Sequence, residues 1–231
     1  HYPARAAVCI VNGYRPEYSV PAAVISGTVT DETAKDIVID SRNDNFNPIL
    51  VGGSGSYSIQ SPKITMVGHG GDDFAGYGAG IMVTGSANVT VDNADIETTG
   101  SVRTAVWAGD HAALLVKNSR IAGHEGDTTD FKVGVMNTVP WPLGLSGNLR
   151  TTNLLDYANV TYLNCHISSE KWGVLSTDGT WKGSGLQVIN SVARVTGNSG
   201  YGTYSDMSAI NHYYGAEFHV PSYGLIVGGG G

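Results

Sequence analysis

The sequence predicts an all-β fold, a parallel β-helix or solenoid of short strands, and three observations predict it. Apolar residues alternate with period two over short runs, which is the signature of strands. The runs recur: NVTVDNADI (88–96), ALLVKNSRI (113–121), NVTYLNCHI (159–167) and LQVINSVA (186–193) share one order of strand, Asn, small residue and second short strand. The shared asparagines, Asn93, Asn118, Asn164 and Asn190, lie 25, 46 and 26 residues apart, and a weaker fifth copy over 212–220 puts Gly215 another 25 further on. A unit of about 25 residues cannot bury its own apolar face, so successive units must stack.

In chain order, residues 1–30 read as an N-terminal cap or extension, and 31–231 as the β-helix. Strands over 36–40, 48–52 and 57–60 supply the first coils. A further strand precedes each copy, at 80–83, 105–108, 133–137, 173–176, 202–205 and 224–227. The stretch 104–116 mimics a helix, but its match to the other copies makes it strand. The repeated Asn suits a sharp turn, because it tolerates positive φ, and stacked Asn side chains hydrogen-bond from coil to coil. The 46-residue interval implies an insertion at 138–158. Pro140, Trp141, Pro142 and Gly144 mark that insertion as a loop, the usual place for function in a regular scaffold. The last strand runs into glycines with no visible cap, so a partner chain or self-stacking is expected at the C-terminal end.

Composition narrows the function classes. Glycine supplies 32 of 231 residues, about twice the average share, and suits a turn-rich chain. The formal charge of −7 argues against a nucleic-acid binder, which needs a Lys/Arg excess. The 41% hydrophobic content excludes a disordered acidic tail, and no apolar run is long enough to span a bilayer. Two cysteines, Cys9 and Cys165, make no disulfide scaffold and read as buried thiols. Few lysines with many polar and glycine residues suit a secreted or cell-surface protein. Asn88 and Asn159 open N-x-T sequons, but both occupy one repeat register, which explains them structurally.

On the four repeats and their Asn ladder, the chain resembles the right-handed parallel β-helix of the pectin-lyase-like superfamily. That superfamily holds lyases, hydrolases, epimerases, tailspikes and adhesins, so the likeness implies an architecture and leaves the function open. Its polygalacturonase-like hydrolases use separate NTD, DD and GHG motifs followed by RIK. Here GHGGDD (68–73) is contiguous and no NTD or RIK is present. Residues 68–77 therefore read as a glycine-rich turn, and those catalytic roles are not carried over. The superfamily's lyases abstract a proton beside a uronate carboxylate with Arg, Lys or Tyr, often with Ca²⁺. That implies Lys132, Lys171, His111 and Tyr204 as candidates.

The residues themselves offer acids and aromatics. Asp110 and Asp156 each stand eight positions before a ladder Asn, and Asp178 and Asp206 read as the same turn in later coils. Stacked carboxylates either share a proton or bind a cation, though Asp also favours turns. Asp178 and Asp206 are thus the leading acid/base candidates, and Asp110 with Asp178 the candidate Ca²⁺ ligands. Trp107 is expected to point outward. Trp107, Trp172, Trp141 and Tyr201, with Lys132, are the expected sugar contacts. The leading expectation is an extracellular polysaccharide lyase or glycoside hydrolase that binds an extended glycan. The competing one is a non-catalytic adhesin, fibre or filament subunit.

Overall fold

The computed structural model describes residues 4–127 and 143–228. The described chain is all-β apart from two short 3-10 turns, and its long sheets are parallel. It opens with β1 (Arg5–Val11), β2 (Val24–Val29) and β3 (Thr33–Ser41). Six units of three strands follow. They are β4 (Phe46–Gly52), β5 (Ser56–Gln60) and β6 (Lys63–Val67); β7 (Ile81–Val83), β8 (Asn88–Asp92) and β9 (Asp95–Thr99); and β10 (Val106–Ala108), β11 (Ala113–Lys117) and β12 (Arg120–His124). The next three are β13 (Arg150–Leu155), β14 (Asn159–Leu163) and β15 (His166–Ser169); β16 (Gly173–Asp178), β17 (Gly185–Ile189) and β18 (Val192–Val195); and β19 (Tyr201–Asp206), β20 (Ile210–Tyr214) and β21 (Glu217–His219). A last strand, β22 (Tyr223–Val227), closes the series.

The first strand of each unit joins an 8-stranded sheet, in the order β1-β4-β7-β10-β13-β16-β19-β22. The other two join a 14-stranded sheet with two limbs, β5 to β20 and β6 to β21, which meet in β3. Thr33–Lys35 of β3 pairs with β5 and Val38–Ser41 with β6. The corner between them is Asp36, at φ 53°.

Alternation sets what points inward. Val89, Leu114, Val160 and Leu186 stack in register on one limb, as do Val91, Val116, Tyr162 and Val188. Ile64, Ile96, Ile121 and Ile167 stack on the other. All twelve are buried in one core. Ile121→Ala is expected to cost about 2–5 kcal/mol, because the stack on either side cannot collapse into the gap. A denaturant midpoint for the two chains would show it, and an unchanged midpoint would contradict this packing.

The Asn positions turn the corner between limbs. Asn93, Asn118, Asn164 and Asn190 have φ of 55°, 54°, 54° and 46°, and Ser61 and Gly215 fill the same corner at 51° and 61°. Their side chains bond from unit to unit: Asn93 Nδ2 donates to Ser61 Oγ at 3.0 Å, Asn118 Nδ2 to Asp92 Oδ1 at 3.0 Å, and Asn164 Nδ2 to Asn118 Oδ1 at 3.3 Å. Gly215 ends the row sterically, since a Cβ there would stand 2.6 Å from Asn190 Oδ1. The next residue makes an inner ladder. The Ala94 and Cys165 amides donate to Ser119 Oγ and Ser191 Oγ, both at 3.0 Å.

Two expectations change here. β1 lies inside the 1–30 segment, yet it is the first strand of the 8-stranded sheet; its free side is bonded by residues 14–20, and β2 runs antiparallel along β3. The insertion does not reach 158: residues 150–155 are β13, paired to β10 and β16, so the extra chain lies between β12 and β13. The strand expected at 133–137 lies outside the described residues. At the other end, β20, β21 and β22 leave Leu225 53% and Val227 64% exposed, where earlier units bury the same positions.

Candidate functional site

The 8-stranded sheet turns its outer face to a set of polar and aromatic side chains. Register builds one row there from Met82, Trp107, Asn153, Ser176, Tyr204 and Ile226. A second row holds Leu155, Asp178 and Asp206, and a third Arg150, Gly173 and Tyr201. Gly173 is required by space, because a Cβ there would sit 2.0 Å from the Tyr201 ring. That ring lies 5.8 Å from the Tyr204 ring, and its hydroxyl bonds Ser176 Oγ at 2.6 Å.

A loop over 68–78 folds onto this face. Its two roots are tied by Arg103, which is fully buried: Nε donates to Gly68 O at 2.8 Å and Nη1 to Gly78 O at 3.1 Å and Phe46 O at 3.0 Å. Burial lowers the Arg103 pKa to about 10. The loop's middle is pinned at Asp73 O, which accepts Trp107 Nε1 at 3.0 Å and Asn153 Nδ2 at 2.9 Å. Gly76, at φ 77°, lets the backbone pass over the indole, where a Cβ would stand 2.6 Å from the Trp107 ring.

Under the loop lies a buried charge cluster. Arg150, 5% exposed, donates from Nη1 to Asp73 Oδ2 at 2.8 Å and holds Nε 3.7 Å from Asp178 Oδ2. Its guanidinium also lies over the Phe74 ring at 5.1 Å. Burial opposes the Arg150 charge, but Asp73, Tyr201 and Asp178 outweigh it and raise its pKa. Burial pushes the Asp178 carboxyl up to about 6; Arg150 opposes this, and the charges of Asp73 and Asp206 add to it. Tyr204 donates to Asp206 Oδ2 at 3.1 Å, and burial with the Asp206 charge keeps its phenol protonated. Burial also pushes Tyr201 up to about 12.

Four buried polar atoms of this cluster have no hydrogen-bond partner among the described residues: Asp73 Oδ1, Arg150 Nε, Asn153 Oδ1 and Asp178 Oδ2. Native interiors leave few such atoms, and their convergence makes this cluster the candidate site. Strained backbone lies beside it, with Trp172 at φ 63° just before β16 and Val102 at φ 56° just before Arg103.

The structure brings Asp178, Tyr204, Asp206, Tyr201 and Trp172 together, and places Asp110, His111 and Lys171 elsewhere. Asp178 and Asp206 do not share the turn of Asp110 and Asp156. Asp178 pairs with Leu155, so it and Asp206 end their strands on the outer face, while Asp110 and Asp156 stand in the following turn at φ 55° and 59°. The Asp110 carboxylate caps Gly85 N at 3.1 Å and Thr84 Oγ1 at 2.5 Å; Asp178 faces Arg150 instead. The two do not fit Ca²⁺ as a pair. Among the described residues no group of three His, Cys, Asp or Glu side chains is placed to hold a metal.

His111 stacks on Tyr157 at 4.5 Å on the exposed turn, and Lys171 sits in the turn before β16, so neither reaches the cluster. Trp107 points out of the core as its alternation predicts, but the 68–78 loop covers it to 4% exposure. Trp172 and Tyr201, both 1% exposed, pack with Leu145 and Tyr204 in a second apolar cluster. None of these three presents a free ring to a sugar. Trp141 and Lys132 lie outside the described residues. Sequence reasoning missed Asp73 and Arg150. The Asp pair at 72–73 was the available signal for the first; Arg150 was hidden inside the supposed insertion.

Among the described residues no helix is long and apolar enough to cross a membrane. Compared with family models, with curated proteins and with solved structures, the chain matches none of them.

Proposed function

We propose that the chain is a right-handed parallel β-helix, secreted or at the cell surface, that acts on polysaccharides as a glycoside hydrolase. The observation that carries this is the in-register pair Asp178 and Asp206, with the Asp178 carboxyl raised to about 6 by burial and Asp206 more open to water. Two carboxyl groups whose environments differ in this way suit an acid and its partner. Asp178 donates its proton to the glycosidic oxygen as the bond from the anomeric carbon breaks. Asp206 serves the anomeric carbon, held in place by the Tyr204 hydroxyl. The backbones of in-register neighbours lie about 4.8 Å apart, which puts carboxyl groups on one face within reach of the about 5–5.5 Å separation of retaining enzymes. That spacing favours Asp206 as nucleophile, with water releasing the sugar in a second step.

β-Elimination is the weaker reading. Tyr204 is a poor base while its phenol is held protonated, and Lys171 and His111 stand away from the cluster. The test is incubation with neutral and uronic-acid polysaccharides, with and without Ca²⁺, following reducing ends together with the ultraviolet absorbance of unsaturated uronates. Reducing ends without absorbance support hydrolysis, and absorbance indicates a lyase. Silence in both favours a non-catalytic adhesin or assembly subunit. One observation supports that second reading: Leu225 and Val227 of β22 stay exposed on the side that earlier units bury, a surface that further strands or another chain would cover.

A further inference from the structure

The cluster under the 68–78 loop holds one cation between two carboxyl groups. Arg150, Asp73 and Asp178 are 5%, 2% and 8% exposed, so all three charges are largely out of water. A single guanidinium neutralises one carboxylate. Ionising both would leave a net negative charge in a poorly solvated place, so the pair retains one proton. Burial raises the Asp73 carboxyl as well as that of Asp178, so geometry decides which of the two keeps the proton. Asp73 takes the hydrogen-bonded contact at 2.8 Å, while Asp178 meets only Nε, at 3.7 Å. We propose that Asp73, reaching across 77 residues of chain, is a positioning residue for Asp178: it holds Arg150 to itself and so leaves the proton on Asp178.

Of the other groups facing Asp178, the Asn153 amide on β13 favours the ionised form but also donates to Asp73 O, and those on β19 are already engaged. The Tyr201 hydroxyl bonds Ser176, and the Tyr204 hydroxyl bonds Asp206. Asp206 adds negative charge from the neighbouring strand, which also favours a protonated Asp178. Among the described residues Arg150 is thus the one cation in contact that can stabilise an ionised Asp178, and Asp73 occupies it. The loop at 68–78 then does more than cover Trp107. It sets the proton state of a carboxyl that belongs to another part of the sheet. Its catalytic meaning rests on the hydrolase reading above; the proton placement does not.

The test is a carboxyl-carbon NMR titration of Asp178 in the whole chain, in wild type, Asp73→Asn and the double variant Asp73→Asn with Arg150→Met. The double variant removes one buried charge of each sign and leaves Asp178 neutral, so it strands no ion. In Asp73→Asn the freed guanidinium should turn to Asp178, and its midpoint should fall from about 6 toward the ordinary value near ~4. In the double variant at least half of that fall should vanish. No fall in Asp73→Asn overturns the proposal. So does a fall that survives in full without Arg150, since repulsion or loop lifting would then be its cause. Because no substrate is used, this result stands or falls separately from the hydrolase reading, which the product assay decides.

Discussion

Asp178→Asn is expected to lower kcat/KM on a cleaved polysaccharide by about 10²–10⁴-fold, the usual worth of a positioned general acid. The amide keeps the shape of the protonated carboxyl that prevails below about pH 6, so the fold should survive, and retained circular dichroism beside lost reducing-end release is the expected pair. Loss smaller than tenfold would remove Asp178 from the mechanism. The wild-type rate should fall about tenfold per pH unit above about 6, where Asp178 loses its proton, and that limb should be absent from the residual activity of the variant.

The same carboxyl links pH to stability, with a definite sign. Its folded pKa is raised above the unfolded value, so the folded chain holds this proton more tightly. The favourable contribution is complete below about pH 4 and is lost as pH rises through about 6. The size is on the order of 2–3 kcal/mol at the limit. The unfolding midpoint of wild type should therefore fall relative to that of Asp178→Asn as pH rises from 4 to 7. Parallel pH profiles would contradict the burial argument.

Arg103→Met is expected to be the most damaging single substitution outside the aliphatic core, costing on the order of 3–5 kcal/mol. The side chain is fully buried and all its hydrogen bonds go to backbone carbonyls: Gly68, Gly78, Phe46 and Asn43. Met replaces the volume but leaves those carbonyls without a donor. It also unties both roots of the 68–78 loop. Thermal unfolding should shift strongly, and the Trp107 indole N–H resonance should move as its bond to Asp73 O loosens. A seated indole with an unchanged midpoint would show that Arg103 is not the tie.

What the sequence revealed, and what it concealed, follows from the range of the forces involved. Asn93, Asn118, Asn164 and Asn190 were readable because a corner at positive φ is a local demand, repeated at each unit. The inward rows through Val89 and Ile96 were readable because period-two alternation is local too. Asp178 and Asp206 were chosen correctly as neighbours but assigned to the wrong turn. One residue of register separates a strand end from a corner, and composition does not resolve it. Trp107 was assigned the right direction and the wrong exposure, because its cover comes from residues 68–78, a unit away. Arg150 had no local signature at all. Its role exists only where β13, β16 and the loop meet.

The gradient of burial along the units has a consequence for local unfolding. Stacked units owe much of their stability to their neighbours, so an edge unit with one neighbour opens first. β22 and β20 show the exposed pattern that predicts early amide exchange, whereas β8 and β11 should exchange only with global unfolding. Tyr204 and Asp206 sit on β19, whose backbone bonds on one side go to β22. Fraying at that edge therefore loosens the strand that carries Tyr204 and Asp206. If another chain covered β22, exchange in β19 should slow, and the Asp206 half of the carboxyl pair should be held more firmly.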